Sequence, residues 1–157
     1  MDSYKKVLEF KKKYKGTLAF RLKAHCKVLD KHLNPGEKIV YVFAGQKNSS
    51  SIAVPNTFVV ALTNKRLLFA RKRLFFGYFF YAVTPDMFND LKVNSGIIWG
   101  QIVIDTVKEL AYISNVSKDA LDEIETAITE YMMEEKKKYP QRKDANELNP
   151  KSWTVYK

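Results

Sequence analysis

Two short apolar runs, Phe58-Val59-Val60-Ala61-Leu62 and Leu67-Leu68-Phe69, flank the polar insert Thr63-Asn64-Lys65-Arg66. Both runs are rich in β-branched and aromatic residues and too short for independent helices, so the stretch predicts strand, turn, strand. Asn64 tolerates the positive φ of tight hairpin turns and is the expected turn residue. Similar runs recur on either side: Ile39–Ala44, Leu74–Val83 (broken only by Gly77), Met87–Asn94, Ile98–Val107 and Leu110–Ile113. Thr84-Pro85-Asp86 and Ser95-Gly96 supply turns between them. Seven strand candidates within about 75 residues, joined by short connections, favour an antiparallel sandwich or barrel over a parallel sheet, which needs helical crossovers.

Helical periodicity brackets this block. From Ser3 to about His32, apolar positions recur at mixed threes and fours, and Lys/Arg fill the other faces. This is either one helix or two shorter ones divided at Gly16. Asn34-Pro35-Gly36-Glu37 ends it, because Pro35 disfavours helix in Asn34 and Pro-Gly is a strong turn. After the strands, Leu121, Ile124, Ile128 and Met132 mark one face of a long helix, with Ser117 as expected N-cap. Asp119, Asp122, Glu123 and Glu125 read as its solvated side, and Pro140 as its stop. The fold class is thus α+β, mainly β. The expected organisation is a basic helical arm over 1–34, a β domain with its helix over 35–138 and a basic tail over 139–157, tacked down by Trp153, Val155 and Tyr156.

Charge sharpens the picture. The 157-residue chain carries a net +10. Residues 1–38 hold eleven basic and four acidic groups, residues 39–135 nine and eleven, residues 136–157 seven and two. The positive charge therefore sits at the two ends, which bears on acidic partners rather than on fold. A single cysteine, Cys26, excludes an intramolecular disulfide framework and fits a reducing compartment. No window approaches the roughly 20 apolar residues of a membrane-spanning helix. The expected location is cytoplasmic, free or peripheral at the inner membrane surface.

The segments LNPGEKIVYVFAG (Leu33–Gly45), VVALTNKRLLFARK (Val59–Lys72) and GIIWGQIVIDTV (Gly96–Val107) resemble bacterial pleckstrin-homology-like (PH-like) domains of the YokE-like type. There a leading "PGE" is followed by a strand, an "LT-x-x-R" hairpin and a "G-x-x-x-G-x-I-x-I" strand. The resemblance implies a seven-stranded antiparallel bent sandwich or barrel capped by one C-terminal helix. It also implies that the β1–β2, β3–β4 and β6–β7 loops share an open end, where eukaryotic members often bind phosphoinositides. Here the first loop, GQKNSSS, has Lys47 as its only charge. With Arg71, Lys72, Arg73 and Lys108 from the other two loops it would form a modest basic rim for an anion or membrane. Leu74-Phe75-Phe76 would serve as an interfacial wedge, or else as the start of a buried strand. Lys65-Arg66 falls at the opposite end and reads as a polar turn with Arg66 packed on the sheet.

The basic face of the arm, Lys5, Lys6, Lys11, Lys12, Lys13 and Lys15, suits anionic lipid, an acidic partner or nucleic-acid phosphates. Otherwise the arm packs its apolar face on the β domain or on another copy. Catalytic chemistry finds little support. Adjacent His25 and Cys26 diverge on a helix, and His25 with His32 lacks the further ligands of a zinc site. No phosphate-cradling glycine loop or nucleophile elbow is present. The expectation is a non-enzymatic PH-like binding module without cofactor or metal, docking a protein partner, itself included, or an anionic membrane surface. The alternative is nucleic-acid binding through the two basic ends.

Overall fold

The computed structural model describes residues 2–48 and 55–147, with side chains described as far as Tyr139. Among them, α1 (Asp2–Lys13) and α2 (Leu22–Lys31) precede β1 (Ile39–Gln46), β2 (Thr57–Thr63), β3 (Leu67–Lys72), β4 (Tyr78–Val83), β5 (Phe88–Ser95), β6 (Trp99–Thr106) and β7 (Leu110–Ser117), and α3 (Leu121–Glu147) closes the chain. All strand pairings are antiparallel, in the order β4-β3-β2-β1-β7-β6-β5. The sheet curls into a half-barrel, with α3 lying against β5 and β6. β1 and β7 are joined at a single pair, Gln46 and Ser114, so a seam divides the sheet into two wings.

The two-residue period of the strands builds two cores. Phe43, Phe58, Val60, Leu62, Leu67 and Phe69 face inward against Ile124, Ile128 and Met132 of α3. The alternate residues Val59, Ala61, Leu68 and Ala70 face outward under Cys26, Val28 and Leu29 of α2. Three alanines, Ala44, Ala61 and Ala70, lie under the helices, and their small side chains leave room for helix to approach sheet. All seven residues of β2 are buried, because both of its faces are covered. Val40 is the extra residue of a bulge: Ile39 pairs with Thr63 and Tyr41 with Leu62, which returns both Ile39 and Val42 to the outer core. The N-terminal arm therefore packs on the β domain. On the other wing, the outward residues Lys92, Gln101, Val103 and Asp105 meet solvent at least in part, as in a sheet with one wet face.

The segment between the two helices straps the seam. Leu18 N–H donates to Asn115 O at 2.8 Å, and Leu18 O accepts Gln46 Nε2 at 2.8 Å. Trp99 Nε1 donates to Gly16 O at 3.0 Å, and Ser117 N–H to Thr17 Oγ1 at 3.0 Å. The helical period thus breaks around Gly16, where the chain turns across the junction of β1 and β7.

Several boundaries differ from expectation. Leu74-Phe75-Phe76 does not start a strand: Arg73 N–H bonds Gly77 O at 3.1 Å and Gly77 has φ 74°, so these residues form the turn and β4 begins at Tyr78. β7 continues to Ser117, which caps only a 3₁₀ turn at Lys118–Ala120 and makes no side-chain cap bond. The α3 backbone passes Pro140 and ends at Glu147. A proline removes one helical donor there without ending the run, and good helix formers such as Gln141, Arg142, Lys143 and Ala145 follow it. The expected contacts of Trp153, Val155 and Tyr156 lie outside the described residues, as does part of the β1–β2 loop (residues 49–54).

Candidate functional site

The two sequence motifs meet at the end of the sheet where α2 leads into β1. The side chain of Glu37 is 0% exposed and accepts Arg66 Nε at 3.0 Å and Nη2 at 3.1 Å, a two-pronged ion pair. Thr63 Oγ1–H donates to Glu37 Oε1 at 2.7 Å, and the Asn34 N–H donates to Oε2 at 2.8 Å. Burial alone would raise this carboxyl, but the Arg66, Asn34 and Thr63 bonds hold it below the usual range. The turn itself is not built on a left-handed Asn64, since the positive-φ non-glycine residues among those described are Arg21 and Asn115. Instead Thr63 Oγ1 accepts the Lys65 and Arg66 N–H groups, while Asn64 Oδ1 accepts Lys38 N–H and its Nδ2 donates to Gly36 O. Both motifs are structural: they clamp the leading turn to the β2–β3 hairpin.

The opposite, open end carries the predicted rim residues and an exposed apolar turn. Leu74, Phe75 and Phe76 project from the β3–β4 turn at 65%, 80% and 86% exposure. Phe79 on β4, with Val107 and Leu110 beside the β6–β7 turn, adds further exposed apolar surface. Arg73 lies over the Phe79 ring at 5.4 Å. Arg71 and Arg73 line a cavity of about 430 Å³ with Leu74, Phe75, Phe76 and Phe79. Behind the turn, Arg21 donates to Lys72 O at 3.3 Å and Arg73 O at 3.5 Å from a left-handed backbone, φ 54°. Burial and the neighbouring Arg21 charge both hold Arg71 below its ordinary pKa.

The predicted rim is thus distributed rather than joined. Lys47 pairs with Glu109 at 3.4 Å and lies over the Phe58 and Tyr81 rings, tying the β1–β2 loop to the β6–β7 turn. Lys108 lines a separate small pocket with Tyr81 and Glu109. Arg71, Lys72 and Arg73 stand at the base of the aromatic turn, and Phe58–Phe79 ring contact at 6.4 Å links the two groups. Arg21 escaped sequence reasoning, because its role depends on a turn about 50 residues away.

The arm lysines divide three ways around α1, at about 100° per residue. Lys5 and Lys12 point to solvent, Lys15 lies exposed beyond the helix end, and Lys6 lines a shallow pocket with Glu123. Lys13 pairs with Glu123, and Lys11 donates to Ala19 O at 3.1 Å. Glu123 also accepts Tyr14 OH at 2.6 Å and Tyr41 OH at 3.1 Å, so this acid ties α3 to α1 and is not merely solvated. Burial opposes its charge, yet the Lys13, Tyr14 and Tyr41 bonds outweigh that and hold the carboxyl low.

Beside the open end, α1 and α2 enclose a groove of about 1030 Å³. Leu8, Ala24, Val28, Phe20 and Tyr78 supply apolar lining, and Lys11, Arg21, Lys23, Lys27, Lys31 and Lys72 supply positive charge. Among the described residues, no acidic one lines it. The 23-27-31 spacing marks one helix face in the sequence, but Leu8, Phe20 and Tyr78 come together only through the fold.

The histidines are structural. His25 Nδ1 accepts Lys72 N–H at 2.8 Å, and burial together with the Arg21 and Arg71 charges lowers its pKa to about 4. His32 stacks on Phe80 at 4.2 Å and bonds Val28 O and Tyr78 OH. Burial pushes the Cys26 thiol up to about 12. Among the described residues no cluster of His, Cys, Asp or Glu suits a metal ion, and no helix is long and apolar enough to cross a membrane.

A curled seven-stranded antiparallel sheet with a helix in its concave face defines the PH-like class. The chain belongs to the bacterial PH domain family, whose sequence model matches residues 33–130. A search of curated proteins returned no match. Family membership suggests a binding module of the kind that mediates protein or lipid interactions and is generally non-catalytic. The α1–α2 arm lies outside the matched region.

Proposed function

We propose that this PH-like module docks non-enzymatically on an anionic membrane surface through its open end, with the β3–β4 turn as the inserting element. The observation that carries this reading is the exposure of Leu74, Phe75 and Phe76 on a turn whose base holds Arg71, Lys72, Arg73 and Arg21. Apolar side chains at the tip suit the acyl boundary, and cations one step behind suit the headgroups. Each basic residue near an anionic surface contributes about 1 kcal/mol, and burying a phenylalanine about 1.5–3 kcal/mol. Nucleic-acid binding through the basic ends fits less well. Stacking platforms interleave cations and rings along a groove, whereas here the cations stand below an apolar tip.

The test is vesicle co-sedimentation of the full chain at low and physiological salt, with neutral and anionic vesicles. Binding to anionic vesicles, lost in a Phe75→Ser/Phe76→Ser variant, supports the reading. Removing two partly inserted rings costs about 2–4 kcal/mol, at least thirtyfold in partitioning. Equal binding by the variant and its parent contradicts it. So does salt-sensitive binding to oligonucleotides with none to vesicles.

A further inference from the structure

The groove between α1 and α2 shares Arg21 and Lys72 with the base of the β3–β4 turn. Its floor and its Lys23, Lys27 and Lys31 wall take no part in the open-end contacts, and the groove joins apolar surface to unbalanced charge. Leu8, Phe20 and Tyr78 remain 43%, 45% and 46% exposed within it. Leu8 shares an α1 face with Tyr4 and Lys11, and Lys23, Lys27 and Lys31 run along α2 at four-residue steps. Two helical stripes bounding one trough match the surface on which a third helix packs. Lys23, Lys27 and Lys31 are exposed and have no hydrogen bond or ion pair among the described residues. Among the described residues six cations and no acid line the groove, so its complement is an anionic surface carrying apolar anchors.

We infer that this groove is a docking site for an acidic amphipathic helix of a partner protein. Such a helix sets its apolar i, i+3, i+4, i+7 side chains over Leu8, Phe20 and Tyr78. Its Glu and Asp side chains then face Lys23, Lys27 and Lys31 on one side and Lys11 on the other. The wall lysines hold the helix in register and reject basic helices with the same apolar stripe. The groove reaches the β3–β4 turn through Lys72 and Tyr78, so a helix seated there lies beside the open end and leaves its tip free.

The test is fluorescence anisotropy with a synthetic peptide of about 18 residues, long enough to form helix, carrying a leucine stripe flanked by glutamates. A twin peptide has lysine in place of every glutamate. The inference expects saturable binding of the acidic peptide only. A Lys27→Glu/Lys31→Glu variant should weaken it about tenfold or more, and Leu8→Ser should also weaken it. Circular dichroism of these surface variants should match the parent. Phe75→Ser/Phe76→Ser should bind the peptide like the parent whatever its behaviour toward vesicles, which separates this inference from the membrane reading. Equal binding of both peptides, or no effect of the groove substitutions, overturns it. Vesicle binding lost in Lys27→Glu/Lys31→Glu without peptide binding assigns the groove to lipid and also overturns it. Dimerisation lost in that variant, again without peptide binding, assigns it to a second copy with the same consequence.

Discussion

Replacing Arg66 by alanine removes the partner of a carboxylate that the fold has taken wholly out of water. Glu37 has a side chain 0% exposed and keeps only the Thr63 and Asn34 donors after the change. Breaking a buried pair on one side typically costs about 3–5 kcal/mol. Arg66 is itself 18% exposed, so water can reach the vacated position, and about 2–3 kcal/mol is the expected loss near neutral pH. For a chain of this size that lowers Tm by roughly 5–10 °C. The cost depends on pH in a definite direction. In the parent the carboxyl lies below its ordinary 4.5, so the pair adds stability above that value and loses it as pH falls through the lowered one. In the variant burial is unopposed by the guanidinium and raises the carboxyl, so protonation on acidification relieves the penalty. The two stabilities should therefore converge as pH falls from neutral toward and below the ordinary 4.5. Other titrating groups act equally on both proteins and cancel in the difference. Urea unfolding across that range reads it directly. A loss below about 0.5 kcal/mol, or a gap constant with pH, would refute the assignment of the pair as a buried clamp.

Four further outcomes follow from particular contacts. Gly45→Ala should destabilise by about 1–3 kcal/mol in urea unfolding, because its Cβ would sit 2.6 Å from Ile113 Cγ2 and 2.9 Å from Ser114 O across the seam. His25 is held neutral, about 4 against 6.5 when free, so stability should decline as pH falls through that window and level off below it. The total is at most about 3 kcal/mol, and His25→Gln should flatten the slope in the same assay. Cys26, fully buried and raised to about 12, should resist thiol reagents in the native protein and react once it is unfolded. Deleting residues 1–32 exposes the outer faces of Val42, Val59 and Leu68, so the shortened chain should aggregate or bind hydrophobic dye where the full chain does not.

Much of the fold was legible because the period carries it. Phe58, Val60 and Leu62 alternate with Val59 and Ala61, and such a run forms a strand whichever core each face meets. That both faces are buried depends on α2, and the strand's own residues do not name what covers them. Thr63, Asn64, Arg66 and Glu37 stood out as motif residues, yet their roles are side-chain bonds across 26 to 29 positions. Leu74-Phe75-Phe76 reads as strand by composition. The turn closed by Gly77 makes it an exposed apolar tip instead. The groove was hidden because its floor takes residues from α1, the seam strap and β4. Its lysines were visible only as charge.

The membrane claim rests on where the turn goes when the protein binds. A Phe75→Cys variant labelled with an environment-sensitive fluorophore reports that directly, since Cys26 is fully buried and leaves the new thiol as the reactive site. With anionic vesicles the emission should shift to the blue and be quenched by spin-labelled acyl chains, and neutral vesicles should do neither. Unchanged emission while the protein co-sediments with anionic vesicles would contradict insertion by the β3–β4 turn.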